Sequence, residues 1–235
     1  MPHFQNCHKI ISRRILCILL FASLMLSLLN FTSSSKEIVY RATINNKKQI
    51  ALTFDDGPHP VRTPEILDIL DKYGIKATFF LIGQNIEYYP EIITREIQSG
   101  HEIGNHTYSH ARLDKMTCTE IENEINKFES ALSKYYDYCP SLIRPPCGYF
   151  GNSFKSTIED LNYKIILWSI DTRDWSHTPA DKIIDDILSK AKSGDIILMH
   201  DYITGTSPTP TVLEAIIPKL INEGYEFVTV SELLS

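Results

Sequence analysis

Short apolar runs separated by polar, turn-forming residues recur along the chain from about residue 49 to its end. Runs of this length, bounded by glycine, proline, asparagine or aspartate, are typical of buried β-strands. Seven of them are predicted to be strands, at residues 50–54, 77–82, 102–104, 141–143, 164–170, 195–199 and 226–230. The stretches that separate these runs are polar on one side and have the spacing of helices.

Helical spacing is clearest in three of these stretches, at residues 64–73, 119–135 and 180–191. In the second stretch Thr119 and Glu122 have the spacing of a capping box, and in the third Pro179 takes the favoured first position of a helix. Glycines stand where a left-handed residue would end each helix; they are Gly74, Gly100, Gly194 and Gly224.

Alternation of strand and helix over residues 49–235 predicts an α/β domain built on a parallel sheet. Such a sheet is either closed into a β/α barrel or open and doubly wound. With 235 residues, 43% of them hydrophobic, the chain can form one sizeable core. Residues 36–48 are interpreted as a linker or a first edge element that precedes this single domain.

The charge distribution argues against nucleic acid as a partner. The formal net charge is -6, and no run of lysine and arginine forms a basic stripe.

The first 35 residues have the pattern of an export signal. Lys9, Arg13 and Arg14 precede an apolar stretch at 15–29, and small polar residues follow at 32–35. The apolar stretch is shorter than the ~18 residues of a comfortable membrane span. No clear A-x-A cleavage pattern is present, so both a cleaved signal peptide and a signal anchor stay open. Either one predicts that the domain acts outside the cytoplasm, in the cell wall, in the medium or attached to the outer face of the membrane.

Five cysteines are present, and two of them, Cys7 and Cys17, belong to the predicted export segment. The other three, Cys118, Cys139 and Cys147, have no C-x-x-C spacing. The sequence leaves a disulfide between Cys118 and Cys139 open without supporting it.

Five of the seven predicted strands end directly on potentially reactive side chains. In parallel β/α architectures the ligands and the chemistry lie at the carboxyl ends of the strands. Residues far apart in sequence are therefore expected to meet at one opening at this end of the sheet, its mouth. They are Asp55 and Asp56, His106 and His110, Arg144 and Cys147, Asp171 with Asp174 and Trp175, and His200.

Two adjacent aspartates, Asp55 and Asp56, precede a Gly-Pro turn, where they would repel one another unless a cation lay between them. The alternative is that they only cap the turn or the next helix. His106 and His110 have the i, i+4 spacing that places two imidazoles on one face of a helical turn, as in many zinc sites. A single pair of histidines at this spacing more often lies exposed on the surface and binds no metal. With an aspartate from another strand end it gives three protein ligands and leaves one coordination position for water.

Arg144, Asp174 and His200 supply a cation, an anion and a titratable group to the same predicted mouth. Each could instead be part of a local ion pair or cap. Together they have the composition of an arginine that orients a base and an aspartate–histidine pair that acts as an acid.

Five ordered segments resemble the polysaccharide deacetylase family, also called the NodB homology domain. They are TFDDGP at 53–58, HTYSH at 106–110, RPPCG at 144–148, DTRDW at 171–175 and LMH at 198–200. The resemblance covers residues 49–235. It implies a distorted parallel β/α barrel with about seven strands, and a metal-dependent removal of acetyl groups from a polysaccharide.

The resemblance also implies roles for individual residues. Asp56, His106 and His110 match the metal ligands, with Zn²⁺ or Co²⁺ as the cofactor. Asp55 matches the base, Arg144 the residue that orients it, His200 the acid, Asp174 the carboxylate that tunes the acid, and Trp175 and Leu198 the walls of the acetyl pocket. One departure is Cys147, where the family usually has an aromatic residue. The family's oxyanion contact there comes from the backbone N–H, so the change should alter the groove and not the chemistry.

Peptidoglycan or a chitin-like polymer is the expected substrate, because the export signal favours an extracellular polymer. Two alternatives follow from the same residues. One is an O-acetyl xylan esterase, since the same chemistry cleaves esters. The other is a non-catalytic glycan-binding domain, which would be expected to lack some of the metal, base or acid groups.

Overall fold

The computed structural model describes residues 38–43 and 47–235. The predicted export segment at 1–35 lies outside these residues. Within the described ranges, no helix combines the length and the apolar character needed to cross a membrane.

Eight short strands, all paired in parallel, form the sheet of the described residues. They are β1 (Gln49–Asp55), β2 (Thr78–Leu81), β3 (Glu102–Asn105), β4 (Leu142–Ile143), β5 (Lys164–Ile165), β6 (Ile170–Asp171), β7 (Ile196–His200) and β8 (Glu226–Phe227). Their order is β5-β4-β3-β2-β1-β7-β6, and β8 pairs with the first two residues of β1.

The helices of the described part of the chain follow the strands and cover the outside of the sheet. They are α1 (Arg62–Tyr73), α2 (Gly83–Tyr88), α3 (Pro90–Gln98), α4 (Cys118–Ser133), α5 (Asn152–Asp160), α6 (Ala180–Lys190), α7 (Thr209–Asn222) and α8 (Val230–Leu233). Short 3-10 turns lie at Leu113–Lys115, Pro146–Gly148 and Asp174–Ser176.

The sheet curls on itself because its two end strands, β5 and β6, are joined by residues 166–169 alone. A linker of this length spans at most ~17 Å, so the two ends of the strand order must lie close together. Residues before β1 bridge the seam. Val39 pairs with Ile166 in parallel, and Arg41 pairs with Asp195 in antiparallel fashion. The predicted parallel β/α barrel is therefore confirmed.

The run at 164–170, predicted as one strand, forms two strands on opposite sides of the seam. The Leu167 N–H donates to the Val39 carbonyl at 2.7 Å, whereas the Ser169 N–H donates to the Ile196 carbonyl at 3.0 Å. The segment thus changes its hydrogen-bonding partner midway. Hydrophobic patterning could not show this change, because Ile165, Ile166, Leu167 and Ile170 are buried on both sides of it.

The central strand β1 alternates between the two faces of the curled sheet. Ile50, Leu52 and Phe54 belong to the large core between the sheet and the helices. Ala51 belongs to a smaller cluster, together with residues such as Phe80. Because side chains of a strand alternate with a period of two, Thr53 and Asp55 face the same side as Ala51. The last residue of the strand therefore delivers a carboxylate to the inner side of the sheet.

The capping box of α4 lies two residues earlier than predicted. Thr117 is the N-cap, its side chain accepts from the Glu120 N–H, and Glu120 reaches back to the Thr117 N–H at 2.8 Å. The predicted box of Thr119 and Glu122 was wrong, because the sequence holds two Thr-x-x-Glu spacings in succession. The earlier start adds backbone hydrogen bonds and leaves the buried face of the helix unchanged.

The thiols of Cys118, Cys139 and Cys147 are free and exposed, so the disulfide left open by the sequence is not formed.

Candidate active site

A cavity of about 470 Å³ opens at the carboxyl ends of the strands. It is lined by Asp55, Asp56, His106, His110, Cys147, Tyr149, Trp168, Asp171, Trp175, Leu198 and His200. Eight of the ten residues predicted for the site line this cavity. The other two, Arg144 and Asp174, are buried behind Asp55 and His200, with which they form ion pairs.

Asp56, His106 and His110 form a cluster in which one potential ligand atom from each residue lies within 4.8 Å of the others. The Asp56 Oδ1 atom lies 3.4 Å from His106 Nε2 and 3.2 Å from His110 Nε2. This oxygen is buried and has no hydrogen-bond partner. A buried carboxylate oxygen between two imidazole nitrogens fits a divalent cation, because it is costly when left unpaired.

The predicted helical turn at 106–110 was wrong, although the two imidazoles do meet. The segment is a loop in which Thr107 and His110 have positive φ angles of 69° and 57°. The loop is closed by the Ala111 N–H, which donates to Thr107 Oγ1 at 3.2 Å. The Thr107 carbonyl accepts from the Gly83 N–H at the start of α2 at 3.0 Å. A loop fixed in this way brings the ring centroids of His106 and His110 to 5.2 Å.

The tautomer of His106 follows from its hydrogen bond. Its Nδ1 atom lies 2.8 Å from the Arg144 carbonyl oxygen, which can only accept. Nδ1 therefore carries a proton, and Nε2 is the ring nitrogen that faces Asp56. Such outer hydrogen bonds orient histidine ligands in metal sites.

On one side of the cavity Arg144 holds Asp55. The Arg144 Nη1 atom donates to Asp55 Oδ1 at 2.6 Å and to Thr53 Oγ1 at 2.9 Å. The remaining nitrogens donate to the carbonyls of Ile166 at 3.3 Å and Leu167 at 3.1 Å. All these partners fix the guanidinium, and the guanidinium in turn fixes the carboxylate at the cavity wall.

On the other side Asp174 holds His200. The His200 Nδ1–H donates to Asp174 Oδ1 at 2.8 Å, and the His200 backbone N–H donates to Asp174 Oδ2 at 2.7 Å. Thr209 Oγ1 donates to Asp174 Oδ2 at 2.7 Å, and the Trp175 N–H donates to Oδ1 at 2.9 Å. The imidazole therefore keeps its Nε2 atom for the cavity.

Neighbouring charges set the ionisation of His200 and Asp56 in the cavity. Burial alone would lower the pKa of His200, but the hydrogen bond and charge of Asp174 raise it to about 9, with Asp55 and Asp56 adding to the rise. Burial alone would raise the pKa of Asp56, but the adjacent imidazoles of His106 and His110 lower it well below its usual range. Asp56 is thus an anion and His200 a cation at neutral pH.

Sequence reasoning missed several residues of the site. Tyr149 and Trp168 line the cavity, yet neither follows a predicted strand directly. Thr53 and Thr209 contact the functional side chains from behind. For Thr53 the period-two alternation of β1, which also places Asp55, was a usable signal. Asp174 and Thr209 are 35 positions apart in the sequence, and no pattern of this kind connects them.

Comparison with known proteins places this geometry in a family. The model of the family described as polysaccharide deacetylase matches residues 42–166, more than half of the chain. The chain is also 42% identical to a peptidoglycan-N-acetylglucosamine deacetylase of Bacillus cereus over 192 residues, which cover 81% of this chain and 90% of that protein.

Two solved structures show the range of functions found on this fold. A family 4 acetyl xylan esterase from Clostridium thermocellum, in complex with a cobalt ion, is 38% identical with a TM-score of 0.73, covering 79% of this chain and 90% of that one. The CE4 family pseudoenzyme BA3943 from Bacillus anthracis is 30% identical with a TM-score of 0.78, covering 85% and 69%. The resemblance of the five motifs is confirmed: the chain belongs to the polysaccharide deacetylase family.

Proposed function

We propose that this protein is a metal-dependent hydrolase that removes N-acetyl groups from N-acetylglucosamine residues of peptidoglycan. One observation carries the proposal: a single cavity is lined by a cluster suited to a metal, by a carboxylate paired with Arg144, and by an imidazole paired with Asp174. A hydrolase of amides needs a polarised carbonyl, a base for water and an acid for the leaving nitrogen.

Asp56, His106 and His110 are the proposed metal ligands, with Zn²⁺ as the cofactor and Co²⁺ as a substitute. Two imidazoles and one carboxylate are a catalytic zinc set, because three protein ligands leave a position for water or substrate. When bound, a divalent cation supplies Lewis-acid polarisation of the acetamide carbonyl and makes water more acidic.

Asp55 is the proposed general base. Its Oδ1 atom is held by Arg144 at 2.6 Å, so the carboxylate has one oxygen fixed and the other directed to the cluster, 3.8 Å from His106 Nε2. In this position Asp55 takes a proton from the water molecule whose oxygen attacks the acetyl carbon. Arg144 contacts no substrate in this scheme and acts as a positioning residue.

His200 is the proposed general acid. Because the pKa of His200 is raised to about 9, its Nε2 atom carries a proton at neutral pH. As the carbon–nitrogen bond breaks, that proton passes to the departing sugar amine. The products are acetate and a free amino sugar. Asp174 keeps the imidazole charged and correctly oriented.

The remaining predicted residues shape the pocket around the acetyl group. Trp175 and Leu198 are proposed to contact the acetyl methyl, since both supply apolar surface to the cavity wall. Cys147 lines the same wall in a left-handed conformation with a φ angle of 56°. Its backbone N–H is the proposed donor to the oxyanion that forms on the acetyl oxygen.

Peptidoglycan is proposed as the polymer because the Bacillus cereus relative carries that substrate in its name. The export pattern in residues 1–35 agrees with a substrate outside the cytoplasm. We accordingly propose that the protein acts in the cell wall, either free or attached to the membrane by its first segment.

Ester hydrolysis is a second candidate, favoured by the 38% identity to an acetyl xylan esterase. An acetyl ester has the same carbonyl and a better leaving group, so the site described above would cleave it as well. Ester and amide activities differ in their need for His200, because an alkoxide of a sugar leaves more easily than an amine anion. A His200→Ala variant should therefore lose amide hydrolysis by a larger factor than ester hydrolysis.

The test is acetate release from peptidoglycan, from chitin oligomers and from acetylated xylan, measured with purified protein loaded with Zn²⁺. We expect the highest kcat/KM on peptidoglycan or its N-acetylated fragments. A preference for acetylated xylan would assign the esterase function. Failure to release acetate from any of the three polymers would contradict the proposal and support a non-catalytic glycan-binding role.

Two variants separate the proposed roles. Asp55→Asn should reduce turnover by about 10²–10⁴-fold while the metal content is retained, because only the base is lost. His106→Ala should lose both the metal and the activity. Near-normal rates in Asp55→Asn would show that the base is a different group.

A further inference from the structure

The rim of the cavity contains an exposed aromatic ring, Tyr149, that the proposed chemistry does not use. Its exposed fraction is 54%, close to the 53% of Trp175, and both residues line the cavity. The proposed acetyl contact Leu198 is by comparison only 3% exposed. Tyr149 and Trp175 therefore belong to the solvent-facing part of the cavity lining, whereas Leu198 belongs to its buried part.

The backbone that carries Tyr149 is fixed by a tight turn. The Gly148 N–H donates to the Pro145 carbonyl at 2.9 Å, and the Tyr149 N–H donates to the Pro146 carbonyl at 3.1 Å. Gly148 has a φ angle of 69°, and a Cβ atom there would lie 3.0 Å from the Trp168 ring. Glycine is needed for this close approach. The turn thus joins Tyr149 to the cavity wall at Trp168.

The ring itself is supported by a cation. The Arg112 guanidinium carbon lies 4.8 Å from the Tyr149 ring centroid. Arg112 is in turn held by Asp114 through two hydrogen bonds, Nε to Oδ1 at 3.1 Å and Nη2 to Oδ2 at 2.9 Å. A ring that is ordered before binding loses less conformational entropy when a ligand stacks on it. Asp114, Arg112 and Tyr149 are thus linked into one unit at the rim.

We propose that Tyr149, supported by Arg112 and Asp114, is a stacking platform for a sugar ring adjacent to the N-acetylated residue that reacts. This inference rests on the proposed function and specifies its substrate as an oligomer or polymer of amino sugars. Pyranose rings present a face of C–H bonds, which pack on the electron-rich face of an aromatic ring. A ring at the rim contacts a neighbouring unit of the glycan, so it increases affinity for oligomers more than for small acetylated compounds.

The test measures binding of tetra-N-acetylchitotetraose by calorimetry to the full chain, loaded with Zn²⁺ and carrying Asp55→Asn so that the ligand is not consumed. Adding Tyr149→Ala should raise the Kd about fivefold to tenfold, the range expected from loss of one aromatic contact. Tyr149→Phe should restore the parent Kd to within about twofold, because the ring and not the hydroxyl makes the contact. Arg112→Ala should raise the Kd about threefold, because the ring loses its support.

Tyr135→Ala is the matched control, since Tyr135 is also an exposed tyrosine, at 46%, and lies outside the cavity lining. Its Kd should equal that of the parent. The inference is overturned if Tyr149→Ala binds the tetramer as the parent does, or if the parent does not bind it. Absence of acetate release by the wild-type protein, together with the expected Kd pattern, would reject the proposed function and leave the platform in place.

Discussion

Arg144 and Asp55 form an ion pair that is closed off from solvent, with side-chain exposures of 0% and 4% and an Nη1–Oδ1 distance of 2.6 Å. Burial alone lowers the pKa of Arg144, and the Asp55 charge opposes this shift. A buried pair of this kind is costly to desolvate and is retained where its geometry serves a purpose. Here the pair holds the Asp55 carboxylate at the wall of a cavity that also contains the cluster of Asp56, His106 and His110.

Removing Arg144 should therefore lower both the stability of the fold and the rate of turnover. We expect Arg144→Ala to lower the free energy of unfolding by about 3–5 kcal/mol, because Asp55 is left buried without its partner. Arg144→Lys should recover only part of this loss, since an ammonium group cannot also reach Thr53 and two backbone carbonyls. Urea unfolding monitored by circular dichroism gives both values.

The control for this measurement is Lys190→Ala, which removes an exposed ion pair with Asp186. It should change the free energy of unfolding by no more than about 0.5 kcal/mol. If Arg144→Ala were as mild as Lys190→Ala, the buried pair would not be maintained in solution.

The pH dependence of the rate should report the Asp174–His200 pair. His200 is the proposed acid, and its pKa is raised to about 9, so kcat should fall as the pH rises through this value. Asp174→Asn removes the main group that raises the pKa, and burial then lowers it. The alkaline limb should move toward or below 6.5, the ordinary histidine value. At pH 8 the variant should lose about 20- to 100-fold more activity than at pH 6, because the protonated fraction falls about tenfold per pH unit above the pKa.

The same pair also predicts a dependence of stability on pH. A histidine whose pKa is raised in the folded state stabilises that state fully below the unfolded-state value of 6.5, and this contribution is lost as the pH rises through about 9. Asp174→Asn should flatten this part of the profile. If the alkaline limb of the pH–rate profile stays near pH 9 in Asp174→Asn, Asp174 does not set the acidity of His200.

Much of the site could be predicted because strand ends and residue types were both visible in the sequence. Asp55 and His200 are the last residues of β1 and β7, which pair with each other in the order of the sheet. The parallel connection of the strands then brings distant segments to one mouth without further information. This reasoning brought seven side chains together, and the structure places them at or beside one cavity; they are Asp55, Asp56, His106, His110, Arg144, Asp174 and His200.

Features set by tertiary contacts were not predictable. The loop at 106–110 keeps a helical spacing of histidines, yet the N–H groups at the start of α2 bind its carbonyls and exclude a helix. The division of the run at 164–170 depends on which edge of the sheet each half meets. Thr209 reaches Asp174 from α7, and no local pattern joins the two. In each case a partner remote in sequence determines the backbone or the hydrogen bond.

Thr209 gives a prediction of its own. Thr209→Val keeps the shape of the side chain but removes the hydroxyl that donates to Asp174 Oδ2 at 2.7 Å. Asp174 is buried, so the loss of one donor should cost about 1–3 kcal/mol of unfolding free energy. We expect kcat to fall by a small factor, because the two contacts from His200 remain. Differential scanning calorimetry and the rate at pH 7 measure these effects.

Thr178→Val is the control for Thr209→Val, because the Thr178 hydroxyl also donates a hydrogen bond, to the Arg173 carbonyl at 2.9 Å, but from an exposed turn. Its stability should be within about 0.5 kcal/mol of the wild type. Equal effects of the two substitutions would mean that the hydroxyl of Thr209 contributes nothing specific to Asp174.

Metal removal should act on activity and stability together, because the three proposed ligands come from the residue that follows β1 and from the loop after β3. EDTA should abolish acetate release, and Zn²⁺ or Co²⁺ should restore it.

Added metal should raise the unfolding free energy by about 2.7 kcal/mol at a concentration of 100 times its Kd. His110→Ala should lose this stabilisation, whereas His177→Ala, which removes an exposed histidine outside the cluster, should keep it. Because Asp56 Oδ1 is buried without a hydrogen-bond partner, Asp56→Asn should weaken metal binding, and calorimetric titration measures this loss. Undiminished activity in metal-free protein would contradict the assignment of this cluster.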